Sequence, residues 1–151
     1  MDWAAKAFLK ASLVWLALGV TLGVGMAVYP PWTVYRAVHE HFNLLGFVTM
    51  MIYGVAYHVI PRFTGVPLHN RVLPTVHWWL SNAGLATMAI GLALRVSSVA
   101  ATPGAILVLG AGGTCAAVGA YLFVYNLWRT LNGTPPTVAA IVRPVSRATG
   151  R

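Results

Sequence analysis

The sequence is poor in acid. Asp2 and Glu40 are its only carboxylate side chains, against ten Lys and Arg, and charged residues make up 8% of the 151 positions. A water-soluble domain carries about a quarter charged residues, so an ordinary soluble fold is excluded. One cysteine, Cys115, excludes an intramolecular disulfide and a Cys-based zinc site. The net charge of +8 arises because acids are missing, not because bases are dense, and no nucleic-acid partner is expected. The length allows one compact bundle and no separate soluble domain.

What is abundant is apolar length: 58% of the residues are hydrophobic. A bilayer core is crossed by roughly 20 apolar residues of helix. Charge-free stretches of that size occur four times, at 11–35, 41–61, 72–94 and 96–128, punctuated by Arg36, Glu40, Arg62, Arg71, Arg95 and Arg129. Within these limits the sequence predicts helices at about 8–29, 40–60, 72–95 and 104–129. Pro30-Pro31 is expected to end the first, Pro61 the second, and Pro103-Gly104 to open the fourth. Strands are not expected, because an open sheet cannot satisfy its backbone in lipid. The fold class is all-α, a four-helix transmembrane bundle in one membrane domain, with a flexible basic tail at 130–151. The first apolar run is too long for a cleavable signal peptide.

The cations segregate. Lys6, Lys10, Arg62, Arg71, Arg129, Arg143, Arg147 and Arg151 fall on one side of the spans, and Arg36 and Arg95 on the other. By the positive-inside rule both termini are expected in the cytoplasm, as for a multi-pass protein of a bacterial inner membrane. Small residues at packing spacings recur on the first helix (Gly19, Gly23, Gly25) and the fourth (Gly110, Gly112, Gly113, Ala116, Gly119, Ala120). They allow close helix approach, or a flat ligand against the backbone.

Ionisable groups near a membrane interior are costly and mark function. The leading group is His39-Glu40-His41, at the outer end of the second helix. Residues two apart on a helix point about 200° from one another, so these histidines cannot chelate one small ion while the segment stays helical. They can serve planar cofactors on opposite faces, a geometry that favours two haems over copper or zinc. The bland alternative is a polar contact between helices. Below His39 runs a small and polar stripe of Asn43, Gly46, Met50, Tyr53, Gly54 and Tyr57. Below His41 runs an aliphatic one of Leu45, Val48, Ile52, Val55 and Val59. His39 is therefore expected to face the bundle, and His41 lipid, a haem edge or a partner.

The stretch His39-Glu-His-Phe-Asn-Leu-Leu-Gly-Phe, continuing through Tyr53-Gly-Val-Ala-Tyr-His-Val-Ile-Pro-Arg62, resembles the tenth helix of haem-copper oxidase catalytic subunits. It is closest to the cbb-type oxidases and nitric-oxide reductases. Val76-His-Trp-Trp-Leu80 and Tyr125-Asn-Leu-Trp-Arg-Thr130 are similar to the start of that family's eleventh helix and the end of its twelfth. The resemblance covers roughly residues 36–130. It implies haem b, with His39 at the high-spin position and His41 at the low-spin position. It also implies that the His-x-His end faces outward, in agreement with the cations.

The chain departs from that pattern in having no adjacent histidine pair for a copper site and no second-helix histidine to complete the low-spin haem. A complete oxidase or reductase in this chain alone is thus not expected. The expectation is a protein holding one or two haems b per protomer, for electron transfer or binding of nitric oxide, oxygen or carbon monoxide. It would work as a homo-oligomer or a respiratory-complex subunit embedded in membrane lipid. The alternative is an accessory or assembly subunit with no cofactor of its own.

An outer haem finds no second histidine on the first, third or fourth helix near that end. It is left five-coordinate, ligated by Met26 or Tyr29, or completed by another subunit, including a dimer sharing a haem through two His41 side chains. Arg36 and Arg95 are candidates to pair haem propionates, and Glu40 to orient a neighbouring histidine. His58 and His77, near the inner ends of their helices, form a candidate second bis-histidine site. His69, in the inner loop, is read as solvated.

Overall fold

A computed structural model describes residues 2–96 and 103–136. Among them every regular element is helical: α1 (Trp3–Val28), a 3-10 turn (Pro30–Tyr35), α2 (Arg36–His41), a π-helical segment (Phe42–Thr49), α3 (Met50–Thr64), α4 (Leu73–Val96) and α5 (Pro103–Leu131). The stretch Pro30–Thr64 is one continuous span, so four helices are long and apolar enough to cross a membrane. The all-α, four-span expectation therefore holds. Arg143, Arg147 and Arg151 and most of the basic tail lie outside the described residues.

The boundaries differ from expectation in ways with local causes. α1 starts at Trp3, well before the apolar run, because Lys6 and Lys10 both lie exposed and leave the helix free to continue past them. The second span does not stop at Pro61. That proline lacks an N–H and leaves the Tyr57 carbonyl without its usual donor, but so close to a helix end the loss does not break the turn. The helix runs on to Thr64 and ends at Gly65, which takes the left-handed conformation at φ 67°. α5 opens on Pro103 as expected, with the missing N–H falling among donors that have no intrahelical partner anyway.

The π-helical segment was not legible in the pattern. It follows His41 directly and widens the ladder to i→i+5 bonding. Thr49 Oγ1 joins in by donating to the Leu44 carbonyl, five residues back, at 2.8 Å. Such segments cluster at functional sites because they change which side chains face a neighbour.

Two antiparallel helix pairs build the bundle. In the first, α1 runs against the second span. Gly46 sits under the Trp15 side chain and Gly54 under the Ala5 carbonyl and Phe8. In the second, α4 runs against α5 with backbones almost touching. A Cβ on Gly112 would lie 2.3 Å from the Met88 nitrogen, and one on Gly84 would lie 2.6 Å from the Ala116 nitrogen. Small residues thus serve close packing at these positions. Gly110 instead meets nothing within 4 Å, and Gly113 meets only the Met88 sulfur at 4.0 Å.

The core between the pairs is Ala5, Phe8, Met50, Tyr57, Leu85 and Leu127. Trp15 Nε1 donates to Asn82 Oδ1 at 2.9 Å and ties α1 to α4 within the spans. At one end, buried Asn126 and Thr130 of α5 hold the connection between α3 and α4. Asn126 accepts from the Asn70 N–H and donates to the Asn70 carbonyl, both at 2.9 Å, while Thr130 Oγ1 accepts from the His69 N–H at 3.0 Å. Lys6, Lys10, Arg62, Arg71 and Arg129 gather at this end, and Arg36 and Arg95 at the other.

Candidate haem site at the His39 end

His39 stands where α2 crosses the end of α1. Its ring fits there because α1 offers glycines. A Cβ on Gly23 would lie 2.8 Å from His39 Cε1, and His39 Nδ1 lies 2.8 Å from the Gly19 carbonyl oxygen. A carbonyl oxygen only accepts, so Nδ1 carries the proton and, in the neutral ring, Nε2 keeps its lone pair. Asn43, one turn on, donates from Nδ2 to the His39 carbonyl at 2.8 Å and lies 3.3–3.4 Å from both ring nitrogens. Asn43 thereby fixes the histidine from its other side.

His41 reaches the same chemical state by another route. Its Nδ1 donates to the Ala37 carbonyl, one turn back on its own helix, at 2.7 Å. Below it Leu45, Val48, Ile52 and Val55 are exposed and Val59 is half-buried, whereas on the His39 stripe Gly46, Met50, Gly54 and Tyr57 are buried and Asn43 and Tyr53 half-buried. The two histidines are themselves both half-buried. A ring nitrogen held by a carbonyl leaves the other to ligate a metal, as in metal-bound imidazoles; at His39 the Asn43 amide lies 3.4 Å from that second nitrogen.

A cleft of about 450 Å³ opens beside His39, lined by Met26, Ala27, Thr33, Arg36, His39 and Glu40. Arg36 Nε donates to Glu40 Oε1 at 2.7 Å across the rim, and both side chains are largely exposed. Glu40 thus engages Arg36, and the two histidines are oriented by backbone carbonyls instead. Arg95 lies exposed in the last turn of α4, at the same end of the bundle. Met26, a candidate weak ligand, lines the cleft; Tyr29 lies just beyond the end of α1 and packs edge-on against Trp32.

The structure does not bring His58 and His77 together as a second site. His58 lies beside Arg62, whose Nη1 is 2.9 Å from its Nδ1 and donates to its carbonyl at 2.7 Å. His77 is fully buried among Phe8, Tyr53, Tyr57 and Phe123, with ring centroids 4.4–5.8 Å away and no space for a macrocycle over its face. His69 is exposed near Tyr125, as its loop position suggested. Among the described residues no three His, Cys, Asp or Glu side chains gather to hold a metal ion. In the sequence Asn43 belongs to the polar stripe, and its i+4 spacing from His39 is the signal of a supporting role.

No family model matches the chain. It is 29% identical over 159 aligned positions to the Cbb3-type cytochrome c oxidase subunit CcoN1 of Stutzerimonas stutzeri, an alignment covering 85% of this chain and 33% of that protein. The relationship is to oxidase subunit I. Cytochrome c oxidase subunit 1 of Rhodobacter capsulatus is likewise 29% identical over 131 positions, covering 72% of this chain and 24% of the relative. The chain thus spans a third or less of the length of these subunit I proteins, and it is a multi-pass membrane protein related to part of them.

Proposed function

We propose that this chain holds haem b at its His39 end and works in respiratory electron transfer or diatomic-gas binding, as a protomer of an oligomer or a subunit of a larger complex. The observation that supports the reading is the pair of Nδ1–H donations, from His39 to Gly19 and from His41 to Ala37, which orient the two Nε2 atoms on different faces of one helix, with the Asn43 amide 3.4 Å from that of His39. The donor set fits haem: each histidine would offer one ring nitrogen to the iron, and Arg36 stands at the cleft rim in reach of an anionic edge. When bound, haem supplies one-electron exchange or gas ligation, and its behaviour follows the axial ligand and burial.

The chain's own residues do the positioning. Gly19 and Asn43 hold the His39 ring, Gly23 gives it room, and the aliphatic face under His41 excludes water from that side. With one histidine on each face, any further protein ligand would come from Met26 or from another chain. The outward position of His41 favours an oligomer or complex contact there.

The test is a haem titration of purified apoprotein in detergent, with haem counted per chain by pyridine haemochrome. One or two haems b per chain are expected. Saturable binding unchanged in His39→Ala and His41→Ala would refute the assignment. The second reading, an accessory subunit without a cofactor, takes its support from the way His39 joins α1 to α2 as a contact between helices. It requires that the protein take up no haem.

A further inference from the structure

His77 lies outside the haem reading, yet it is the most enclosed polar ring in the core. Its side chain is 0% exposed and its Nε2 is buried without a hydrogen-bond partner. A buried ring nitrogen without a partner carries a desolvation cost that a phenylalanine packed among Phe8, Tyr53, Tyr57 and Phe123 would avoid. The other nitrogen is engaged: His77 Nδ1 lies 3.1 Å from the Tyr57 hydroxyl.

The pair stands between two cavities. Tyr57, 1% exposed, lines a cleft of about 330 Å³ at the cation-rich end, together with Asp2, Arg71 and Thr75. One helical turn beyond His77, Ser81 lines a groove of about 260 Å³ between the second span, α4 and α5, shared with Tyr53 and Thr49. Gly119 joins the two. A Cβ there would lie 3.0 Å from Ser81 Oγ and 3.2 Å from His77 Cδ2, the ring atom bonded to the orphaned Nε2. The ring edge and the hydroxyl therefore converge on one spot that only a glycine leaves open.

We propose that Tyr57 and His77 form a proton relay from the cleft at the cation-rich end to the groove within the spans. In the resting pair Tyr57 donates to Nδ1, and Nε2 carries the ring hydrogen toward Ser81. A hydronium in the cleft gives its proton to the Tyr57 oxygen as the Tyr57 hydrogen passes to Nδ1. The Nδ1–H bond forms, the Tyr57 O–H bond is replaced, and the ring becomes imidazolium. Nε2 then releases its proton to a water beside Ser81. One proton has entered and one has left; the reverse transfer, in which Nε2 regains a proton from the groove as Nδ1 returns its own to Tyr57, restores the starting tautomer, so the pair equilibrates protons between the two cavities. The groups facing this path are Tyr53 and Tyr57 from α3, Phe8 from α1, Phe123 and Asn126 from α5, the latter hydrogen-bonded to Tyr57, and Ser81 from α4, with Asp2 and Arg71 at the mouth. None of these residues touches His39 or His41, so the relay stands or falls apart from the haem reading.

The test is nuclear magnetic resonance of the full-length chain, labelled with 15N-histidine, in lipid nanodiscs, measuring proton exchange between water and the His77 ring. His77→Asn identifies the signal by its loss. Exchange in the wild type is expected at least about tenfold faster than in Tyr57→Phe, where the ring meets water only through local opening of the bundle. Ser81→Ala, which leaves the aromatic packing intact, is expected to slow it as well and serves if Tyr57→Phe does not fold. Wild-type exchange as slow as that of the folded variant, or a folded variant exchanging at the wild-type rate, would overturn the relay.

Discussion

At the scale of single residues, two histidines in one short helix point Nδ1 at a backbone carbonyl through different partners. His39 borrows a carbonyl from α1 and His41 uses its own helix. His39 thus depends on how α1 packs and His41 does not. Gly23→Ala places a Cβ 2.8 Å from His39 Cε1 and pushes the ring off the Gly19 carbonyl. Loss of such a supporting contact costs about 10–100-fold in affinity, so haem titration of this variant should show a drop of that size. An affinity equal to wild type would show that the Gly19 contact does not position the ligand. Trp15→Phe removes the donor to Asn82 but keeps an aromatic ring. A hydrogen bond between membrane helices averages about 0.6 kcal/mol, and unfolding in mixed micelles followed by circular dichroism should show a loss of that order.

The contrast between the aliphatic stripe under His41 and the small one under His39 is legible because residue spacing on a helix fixes direction, and their exposure and burial follow that geometry. The fate of His77 was not legible. Nothing local distinguishes a histidine at an interface from one sealed by rings contributed from α1, α3 and α5. The bond between Asn126 and Asn70 is hidden for the same reason, since it joins positions 56 apart in the chain.

Among the elements, α4 and α5 form the tightest pair, and composition could not say which glycines make it. Gly112 lies against the Met88 backbone, while Gly110, two residues away, faces open space. Gly112→Ala forces backbone against side chain where neither has room to yield, a change of the overpacking kind that costs about 1–3 kcal/mol. Gly110→Ala should be neutral or slightly stabilising through better helix propensity. Equal losses at both positions would show that the pair does not pack this way. The four spans could be counted from charge-free length, yet the π-helical segment and the passage through Pro61 could not. Both depend on how backbone groups find partners in three dimensions, which periodicity does not encode.

For the whole molecule, the scarcity of charge makes each cation informative. Among the described residues Lys6, Lys10, Arg62, Arg71 and Arg129 lie at one end and Arg36 and Arg95 at the other, so the expected orientation puts the His39 end outside. In a Cys115→Ala background, a thiol at Asn132→Cys should react with a membrane-impermeant reagent only in inside-out vesicles, and one at Thr33→Cys only in right-side-out vesicles. The reverse pattern would invert the topology.

The central claim is that His39 and His41 ligate haem iron. Its most direct test is the reduced-minus-oxidised absorption spectrum of the protein purified from haem-replete cells, recorded for the wild type, His39→Ala and His41→Ala, with and without carbon monoxide. The account predicts a b-type spectrum in the wild type that is lost or altered in each variant, with carbon monoxide shifting any five-coordinate haem. A colourless wild-type protein that stays colourless after reconstitution with haem would contradict it.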